Sequence, residues 1–383
     1  MKVLYASERP PYPLFLGGAA RCAHQLLLGM ANAHNITSCA VGSSHYSVTP
    51  WAFPAECDAP ALGVLSMQVN NHDGMASGTL DCGYPVHIIN DYSRELEHFI
   101  DTFQPDILWT QLDGGEHIMQ LAARKGIQGL YYVHDAEFDP AELRRIAATG
   151  CHLIASSGFL AGLAERATGR QVQVIYPASD LYFDTPGDPD GFITMINPVG
   201  VKGIDTLLAI ASQLPQKKFL LVESWRLNDD ALQVLQARLT TLPNVRFQTR
   251  VADMCEIYRQ TQLLLVPSHW EEGFGMVVIE AQSCKIPVIA SARGGLIEAV
   301  GDGGLLIEDY RNVDRWLEAI DKVLDNKAYT AHCEKAQQHA ATPQFSPEHL
   351  AAQLATICAG QPPPRPTLPS RILRGVKQLF KLT

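Results

Sequence analysis

The chain has 383 residues, of which 46% are hydrophobic, and a net charge of −10. This length suits two α/β domains, and the acidic balance argues against a nucleic-acid-binding protein, which normally carries a basic face. The nine cysteines include no CxxC pair, and neither a signal-peptide pattern nor an apolar run long enough to span a bilayer is present in the sequence. We therefore expect a cytoplasmic protein with reduced cysteines.

The first predicted unit is a strand over residues 3–6, a loop that ends in Gly17 and Gly18, and a helix over residues 19–33. The loop lacks the GxGxxG pattern, so it does not predict a dinucleotide site. Two interpretations stay open from the residues alone. The glycines let the backbone approach a ligand, or the loop is only a connection.

Apolar runs continue through the first half of the chain and alternate with helical or loop stretches, which predicts a parallel, doubly wound sheet. The runs cover residues 38–41, 86–89, 107–109, 129–133 and 153–156. Residues 46–84 are the least regular part, where we expect variable binding loops. His134 follows the run at 129–133, at the edge where open α/β sheets bind ligands. It is a candidate site residue, although a lone histidine is more often structural.

The second half of the chain opens with a strand over residues 192–196 and a loop that carries Lys202 before a predicted helix. A lysine in such a loop is either a partner for a phosphate group or a surface charge. Asp188 and Asp190 superficially match a D-x-D metal motif. Because Pro189 separates them and glycines flank them, we interpret the motif as a linker turn and expect no metal site.

Residues 267–300 form the most informative stretch: a strand end, a loop with Gly273 and Gly275, a helix from about Met276, a second strand and a Gly-Gly turn. A glycine loop between a buried strand and a helix N-terminus is a binding site for phosphate groups. Glu272 and Glu280 flank the loop. Two separated acceptors beside a phosphate site suit a nucleotide sugar, whose ribose and sugar both present hydroxyl donors. The alternative is two solvated surface glutamates.

The spacing of Glu272 and Glu280 resembles the E-x7-E signature of retaining GT-B glycosyltransferases, in particular glycosyltransferase family four (glycosyl transferases group 1). The resemblance covers nearly the whole chain. It implies an α/β fold of two Rossmann-like, doubly wound parallel-sheet domains that face a cleft. The implied boundaries are an acceptor-side domain at 1–177, a donor domain at 178–345, a helix at 346–360 that crosses back to the first domain, and a Pro-rich linker with a basic tail at 361–383.

The resemblance also assigns roles to individual residues. Glu272 and His134 would contact the donor sugar and Lys202 its diphosphate, which makes these three the expected catalytic set, whereas Glu280 would bind the ribose and the Val251 backbone the base. The expected donor-binding set is Gly17, Gly18, Val251, Gly273, Phe274, Gly275, Met276, Val277 and Glu280. No metal and no cofactor is implied.

Two positions depart from the family pattern. Asn197 stands where relatives carry an arginine, so one of two expected cations is missing or is replaced by Arg250 or Arg293. Lys285 stands where relatives end the helix with glycine. We expect Lys285 to adopt a left-handed backbone conformation, at a cost of about 1 kcal/mol.

The activity that the resemblance implies is a retaining, metal-independent transfer of sugar from a nucleotide-sugar donor to a hydroxyl acceptor, in bacterial polysaccharide or glycolipid assembly. The acceptor would be a glycan, a lipid-linked molecule or a small molecule. Two alternatives stay open: a nucleotide-sugar hydrolase or epimerase on the same fold, and a non-catalytic nucleotide-sugar-binding membrane scaffold.

The last fourteen residues, 370–383, place apolar residues on one helical face and four cations on the other, without an acidic residue. This pattern is typical of an interfacial helix at anionic lipid and predicts peripheral contact with the cytoplasmic face of the membrane. A tail that packs on the protein or stays disordered is the alternative.

Overall fold

The structure is a computed structural model that describes residues 1–360 apart from residues 16, 35, 44, 47–48, 51–62, 73–74, 226 and 252. It divides into two compact units: Met1–Ser179 together with the segment that begins at Pro343, and the intervening Asp180–Thr342. The predicted linker and membrane-binding tail at 361–383 lie outside the described residues. Among the residues described, no helix combines the length and hydropathy that crossing a membrane requires.

The first unit contains one large sheet and a separate two-stranded ribbon. Its strands are β1 (Lys2–Ser7), β2 (Thr37–Ser43), β3 (His45–Tyr46), β4 (Thr49–Pro50), β5 (Ser66–His72), β6 (Met75–Asp81), β7 (Pro85–Ile89), β8 (Ile107–Gln111), β9 (Gln128–Val133), β10 (His152–Ala155) and β11 (Gln173–Val174). The large sheet has the order β11-β10-β9-β8-β1-β2-β7-β6-β5, and β3 pairs with β4.

The helices of the first unit that precede residue 180 are α1 (Gly18–Ala33), α2 (Tyr92–Phe103), α3 (Gly115–Lys125), α4 (Pro140–Ala148) and α5 (Gly158–Thr168). The helix Pro347–Cys358 also belongs to this unit and packs on α1. Gly29 allows the close approach, because a Cβ added there would lie 2.7 Å from the Cβ of Ala351.

Seven strands of the large sheet run parallel as predicted, but β5 and β6 extend it with antiparallel pairing. The sequence analysis did not predict these two strands, which lie in the irregular stretch 46–84. They carry few of the apolar residues that mark a buried parallel strand, since the hairpin lies at the edge of the sheet. Leu65, directly before β5, and Met67, its second residue, are 72% and 51% exposed.

The second unit contains a parallel sheet of the order β14-β13-β12-β15-β16-β17. Its strands are β12 (Phe192–Ile196), β13 (Phe219–Val222), β14 (Val245–Gln248), β15 (Thr261–Val266), β16 (Val288–Ser291) and β17 (Gly304–Ile307). Its helices are α6 (Ile204–Gln213), α7 (Asp229–Leu239), α8 (Cys255–Tyr258), α9 (Met276–Ser283), α10 (Leu296–Val300), α11 (Val313–Val323) and α12 (Tyr329–Ala340), and Pro347–Cys358 is α13.

The strand order of the second unit explains where its ligand edge lies. The chain proceeds outward from β12 to β14 and then returns to place β15 on the other side of β12. Leu263, Leu264 and Leu265 are fully buried in β15, as expected for a parallel strand covered on both faces. Ligands of open α/β sheets bind at such a reversal, beyond the carboxyl ends of the strands. The loops after β12 and β15 therefore frame the candidate site.

Candidate functional site

The loops that follow β12 and β15 are joined through their backbones. The Val201 carbonyl oxygen accepts hydrogen bonds from the amides of His269 at 2.9 Å and Trp270 at 3.1 Å. Gly203 has φ 87°, and a Cβ there would clash with the Pro267 carbonyl. Only glycine fits this contact, which fixes the loop with Lys202 beside the loop with Glu272.

Lys202 and Glu272 are in direct contact. The Lys202 Nζ lies 2.7 and 2.8 Å from the two carboxylate oxygens of Glu272, and the Ser268 hydroxyl donates to the same carboxylate at 2.8 Å. The two charged side chains are only 15% and 12% exposed. The sequence analysis placed both residues at a ligand site but did not predict that they pair. A ligand that binds Lys202 or Glu272 through its charge has to break this ion pair and replace it with its own contacts.

The glycines of residues 273–275 and the Gly294-Gly295 turn form one packed unit. The Gly295 amide donates to the Glu272 carbonyl at 2.7 Å, and a Cβ on Gly295 would clash with the Gly273 carbonyl. Gly275 has φ 104°, a conformation that favours glycine. The turn therefore supports the loop from behind and holds the Glu272 backbone in place.

The helix α9 starts directly after this loop, at Met276 and Val277, and no side chain among the described residues caps it. Its first backbone amides and the positive end of its dipole lie at the loop. Phe274 is buried and anchors the loop in the unit. The structure thus has the glycine loop and helix start that the sequence predicts for residues 273–277, and their binding of a phosphate group stays a prediction.

Glu280 is buried rather than solvated, which excludes the interpretation that it is a surface glutamate. The residue is 9% exposed, and its carboxylate accepts a hydrogen bond of 2.7 Å from the hydroxyl of Tyr258, which is itself fully buried. Burial raises the pKa of Tyr258 well above its ordinary value, so the phenol keeps its proton and stays a donor. The sequence analysis missed Tyr258, because α8 is too short to show a helical period.

Val251 follows β14, and its side chain packs on the small apolar cluster that includes Leu220, Val222 and Ile257. Because the Val251 side chain packs on this cluster, a ligand at this loop would contact its backbone. The predicted backbone contact of Val251 with a base stays a prediction.

In the first unit, His134 follows β9 and is half-buried. Its Nε2 lies 2.7 Å from the Oε1 of Gln111, whose amide nitrogen donates to the Tyr5 hydroxyl at 3.0 Å and the Ala19 carbonyl at 2.8 Å. Because the Gln111 oxygen therefore faces the histidine, Nε2 carries the proton. Burial lowers the pKa of His134 to about 3, so the imidazole is neutral at neutral pH and donates a hydrogen bond through Nε2.

Gln111, the hydrogen-bond partner of the candidate residue His134, was not singled out from the sequence. It is the last residue of β8 and is buried at the carboxyl edge, next to the strand that carries His134. A polar residue that ends a buried strand was the available signal. Its bond to Ala19 also ties this edge to the start of α1, where Gly17 is the N-cap and Gly18 the first helical residue. The predicted sugar contact of His134 stays a prediction.

The two positions that depart from the family pattern both have a left-handed backbone conformation. Lys285 has φ 58°, which confirms the predicted left-handed conformation, and Asn197 has φ 68°. Arg293, one candidate for the missing cation, pairs with Glu271 at 2.5 Å and donates to the Tyr310 hydroxyl at 3.2 Å. The side chain of Arg250, the other candidate, is exposed. Neither arginine is joined to Lys202 or Glu272 by a described contact.

The segment with Asp188 and Asp190 forms the turn that the sequence predicts. The Asp188 side chain accepts the Asp190 amide at 2.9 Å, and the Asp188 carbonyl accepts the Gly191 amide at 2.9 Å. Within the described part of the chain, no three histidine, cysteine, aspartate or glutamate side chains come together as a metal site would require.

Residues 185–340 match the family model described as Glycosyl transferases group 1. A curated relative, the D-inositol 3-phosphate glycosyltransferase of Mycolicibacterium smegmatis, is 34% identical over 203 residues, which are 47% of this chain and 45% of the relative. The chain thus matches less than half the length of this relative.

Solved structures resemble the chain over almost its full length. Anabaena Alr3699/HepE in complex with UDP aligns with a TM-score of 0.72 and 19% identity over 94% of this chain and 100% of that one. Another structure of that protein contains UDP-glucose. Sucrose-phosphate synthase from Thermosynechococcus elongatus aligns with a TM-score of 0.71 and 17% identity over both whole chains. The predicted fold is thereby confirmed: the chain has a GT-B fold, and its residues 185–340 match the model of the glycosyl transferases group 1 family.

Proposed function

We propose that this protein transfers a sugar from a nucleotide-activated donor to a hydroxyl group of an acceptor. The observation that carries the proposal is the contact between Lys202 and Glu272 at the mouth of the glycine loop. A cation for a departing diphosphate and a carboxylate for sugar hydroxyls lie side by side there. The UDP and UDP-glucose complexes of the similar Anabaena protein support a donor of this class.

The chemistry of the proposed site is electrostatic. Negative charge develops on the diphosphate as the bond to the sugar breaks, and groups fixed in advance around that charge lower the barrier. Lys202, the loop amides at 273–275 and the dipole of α9 supply positive charge without a divalent metal. Glu272, released from Lys202 by the incoming diphosphate, accepts hydrogen bonds from the sugar, and Glu280 accepts them from the ribose.

We further propose that the transfer retains the anomeric configuration, with the acceptor attacking from the face that the diphosphate leaves. No carboxylate is assigned as a covalent nucleophile, because Glu272 and Glu280 serve binding in this scheme. We also propose that the acceptor belongs to bacterial polysaccharide or glycolipid assembly, which the family resemblance supports. Peripheral contact with the cytoplasmic face of the membrane is supported by the residue pattern at 370–383.

A donor panel tests the function. UDP, GDP, ADP and their glucose conjugates are added to the wild type, and we expect one nucleotide to raise the melting temperature, since a ligand of the folded state stabilises it. Glu280→Ala should lose most of that rise. Glu318→Ala is the matched control, because Glu318 is a glutamate on α11 whose side chain is 64% exposed. The stabilising sugar nucleotide is then assayed with hydroxyl acceptors, including D-inositol 3-phosphate.

The product of this assay should have the anomeric configuration of the donor by NMR, and a chelator should leave the rate unchanged. A wild type that no nucleotide stabilises would contradict the proposal. Donor breakdown at the same rate with and without acceptors would instead favour the hydrolase or epimerase, and stabilisation without any conversion would favour the non-catalytic scaffold.

Tyr258→Phe should weaken binding of the nucleoside diphosphate found in the panel by about tenfold or more, because a hydrogen bond to a buried carboxylate contributes on the order of 1.5–3 kcal/mol. Without the phenol, Glu280 loses the donor that holds it toward the ribose. Calorimetric titration with the 2′,3′-dideoxy analogue should show no such loss, since that ligand has no hydroxyls for Glu280.

Tyr329→Phe is the control for this experiment. It removes a tyrosine hydroxyl of the same unit that donates to the Gln262 carbonyl at 3.0 Å rather than to the Glu280 carboxylate. Both ligands should bind this variant as they bind the wild type. Equal losses for the ribose and dideoxy ligands in Tyr258→Phe would show that Tyr258 does not act through the ribose.

A further inference from the structure

Trp225 is an exposed aromatic residue next to the ion pair of the candidate site. It lies in the loop after β13, the neighbour of β12 in the sheet, and is 51% exposed. The Lys202 Nζ lies 4.9 Å from the centroid of a Trp225 ring. This distance is within the range of a cation–π interaction, in which the ring face attracts the ammonium group.

The backbone of Trp225 is fixed by Asn197. The Trp225 amide donates to the Asn197 Oδ1 at 3.1 Å, and the Asn197 amide donates to the Val222 carbonyl at the end of β13 at 2.7 Å. Asn197 is buried and has φ 68°, a conformation that asparagine adopts more readily than most residues. Asn197 also begins the loop that carries Lys202. This one residue therefore helps to position both Trp225 and Lys202.

The Lys202 ammonium thus has two neighbours that differ in kind. Glu272 holds it by charge, but in the proposed function this carboxylate turns to the sugar when the donor binds. Trp225 carries no charge and has no role in binding the sugar in this scheme. Its contact with the ammonium can persist while the diphosphate replaces Glu272.

We propose that Trp225 is a positioning residue that acts through Lys202. Its ring keeps the ammonium group in place to bind the diphosphate after the ion pair with Glu272 has broken. The inference rests on the proposed function, because it takes the ligand of Lys202 to be a diphosphate. In this proposal two uncharged residues, Asn197 and Trp225, position the side chain of Lys202. They do so at the place where the sequence lacks a second cation.

The test is titration calorimetry of the full chain with inorganic pyrophosphate, which has neither base nor sugar. Trp225→Leu should bind pyrophosphate about threefold to tenfold more weakly than the wild type, and Trp225→Phe, which keeps a ring face, should stay within about twofold. In a Lys202→Met background, Trp225→Leu should have no further effect, because the residue through which it acts is gone.

Two measurements separate this role from others. Binding of free uridine, or of the nucleoside found in the donor panel, should be unchanged in Trp225→Leu; a loss equal to that for pyrophosphate would mean that the ring stacks on the base and would overturn the inference. The melting temperature should match that of Val234→Ala, a control that trims an apolar side chain of α7 that is 62% exposed. A large drop confined to Trp225→Leu would mean a structural role and would also overturn it.

The inference and the proposed function fail in different ways. Equal pyrophosphate binding by wild type, Trp225→Leu and Trp225→Phe, in a protein that transfers sugar, contradicts the inference alone. Pyrophosphate binding that depends on the Trp225 ring, in a protein that converts no sugar nucleotide, contradicts the proposed function alone. A wild type that binds no pyrophosphate contradicts the inference as well, because Lys202 then receives no diphosphate.

Discussion

Glu272→Gln should slow sugar transfer strongly and tighten the binding of inorganic pyrophosphate at the same time. The neutral amide offers one acceptor oxygen where the carboxylate offers two charged ones, so the sugar is held less well, and a misplaced reacting group can cost about 10² in kcat. The same change removes the charge that holds Lys202 at 2.7 Å, so the ammonium becomes available to an anion. Steady-state kinetics and titration calorimetry measure the two effects.

The neighbouring residue provides a matched control for this prediction. Glu271 pairs with Arg293 rather than with Lys202, so Glu271→Gln should change kcat and pyrophosphate affinity little. If the ion pair competes with the ligand, Glu272→Gln must lower kcat and raise the affinity for pyrophosphate. Weaker pyrophosphate binding in that variant, or an unchanged kcat, would show that the Lys202–Glu272 contact does not compete with the ligand.

Lys202→Met should reduce both activity and stability. The diphosphate loses its cation, and we expect a fall in kcat/KM of at least about 10²-fold. The Glu272 carboxylate, which is 12% exposed, keeps the Ser268 hydroxyl but loses its charge partner. A charged group left without its partner in a partly buried position costs on the order of 1–3 kcal/mol. Urea unfolding measures that loss in the free energy of unfolding.

The double variant Lys202→Met/Glu272→Gln separates the two losses. Because no unpaired charge remains, its free energy of unfolding should return toward that of the wild type, while its turnover should stay as low as in Lys202→Met. If the double variant is as unstable as Lys202→Met, the destabilisation does not come from the unpaired carboxylate.

The sequence predicted the parts of the fold that depend on local pattern. Buried apolar strands such as β15 and the glycine loop after it were recognisable, because burial on both faces demands continuous apolar residues. The antiparallel β5 and β6 were not predicted, since an edge hairpin has no such demand. Boundaries of the predicted strands differ from the observed ones by only a few residues.

The site was predictable residue by residue but not as a set of contacts. Lys202 and Glu272 are 70 positions apart, and they meet because β12 and β15 are neighbours in the sheet, which no local pattern shows. The bond from Tyr258 to Glu280 and the contact of Trp225 with Lys202 depend on the same packing. Side-chain types and loop positions could be inferred from the sequence, whereas the partner of each charge required the three-dimensional structure.

The ion pair between Lys202 and Glu272 also bears on selectivity against the free phosphate that surrounds any protein in a cell. A phosphate ion that binds Lys202 leaves the carboxylate of Glu272 without its charge partner. A free sugar that binds Glu272 leaves the ammonium group of Lys202 without its charge partner. Each of these small ligands therefore has to offset the lost ion pair by itself. A nucleotide sugar brings the anion and the hydroxyl donors in one molecule and satisfies both charges together. The ion pair should therefore make each fragment bind more weakly than the whole proposed substrate, without excluding the fragments.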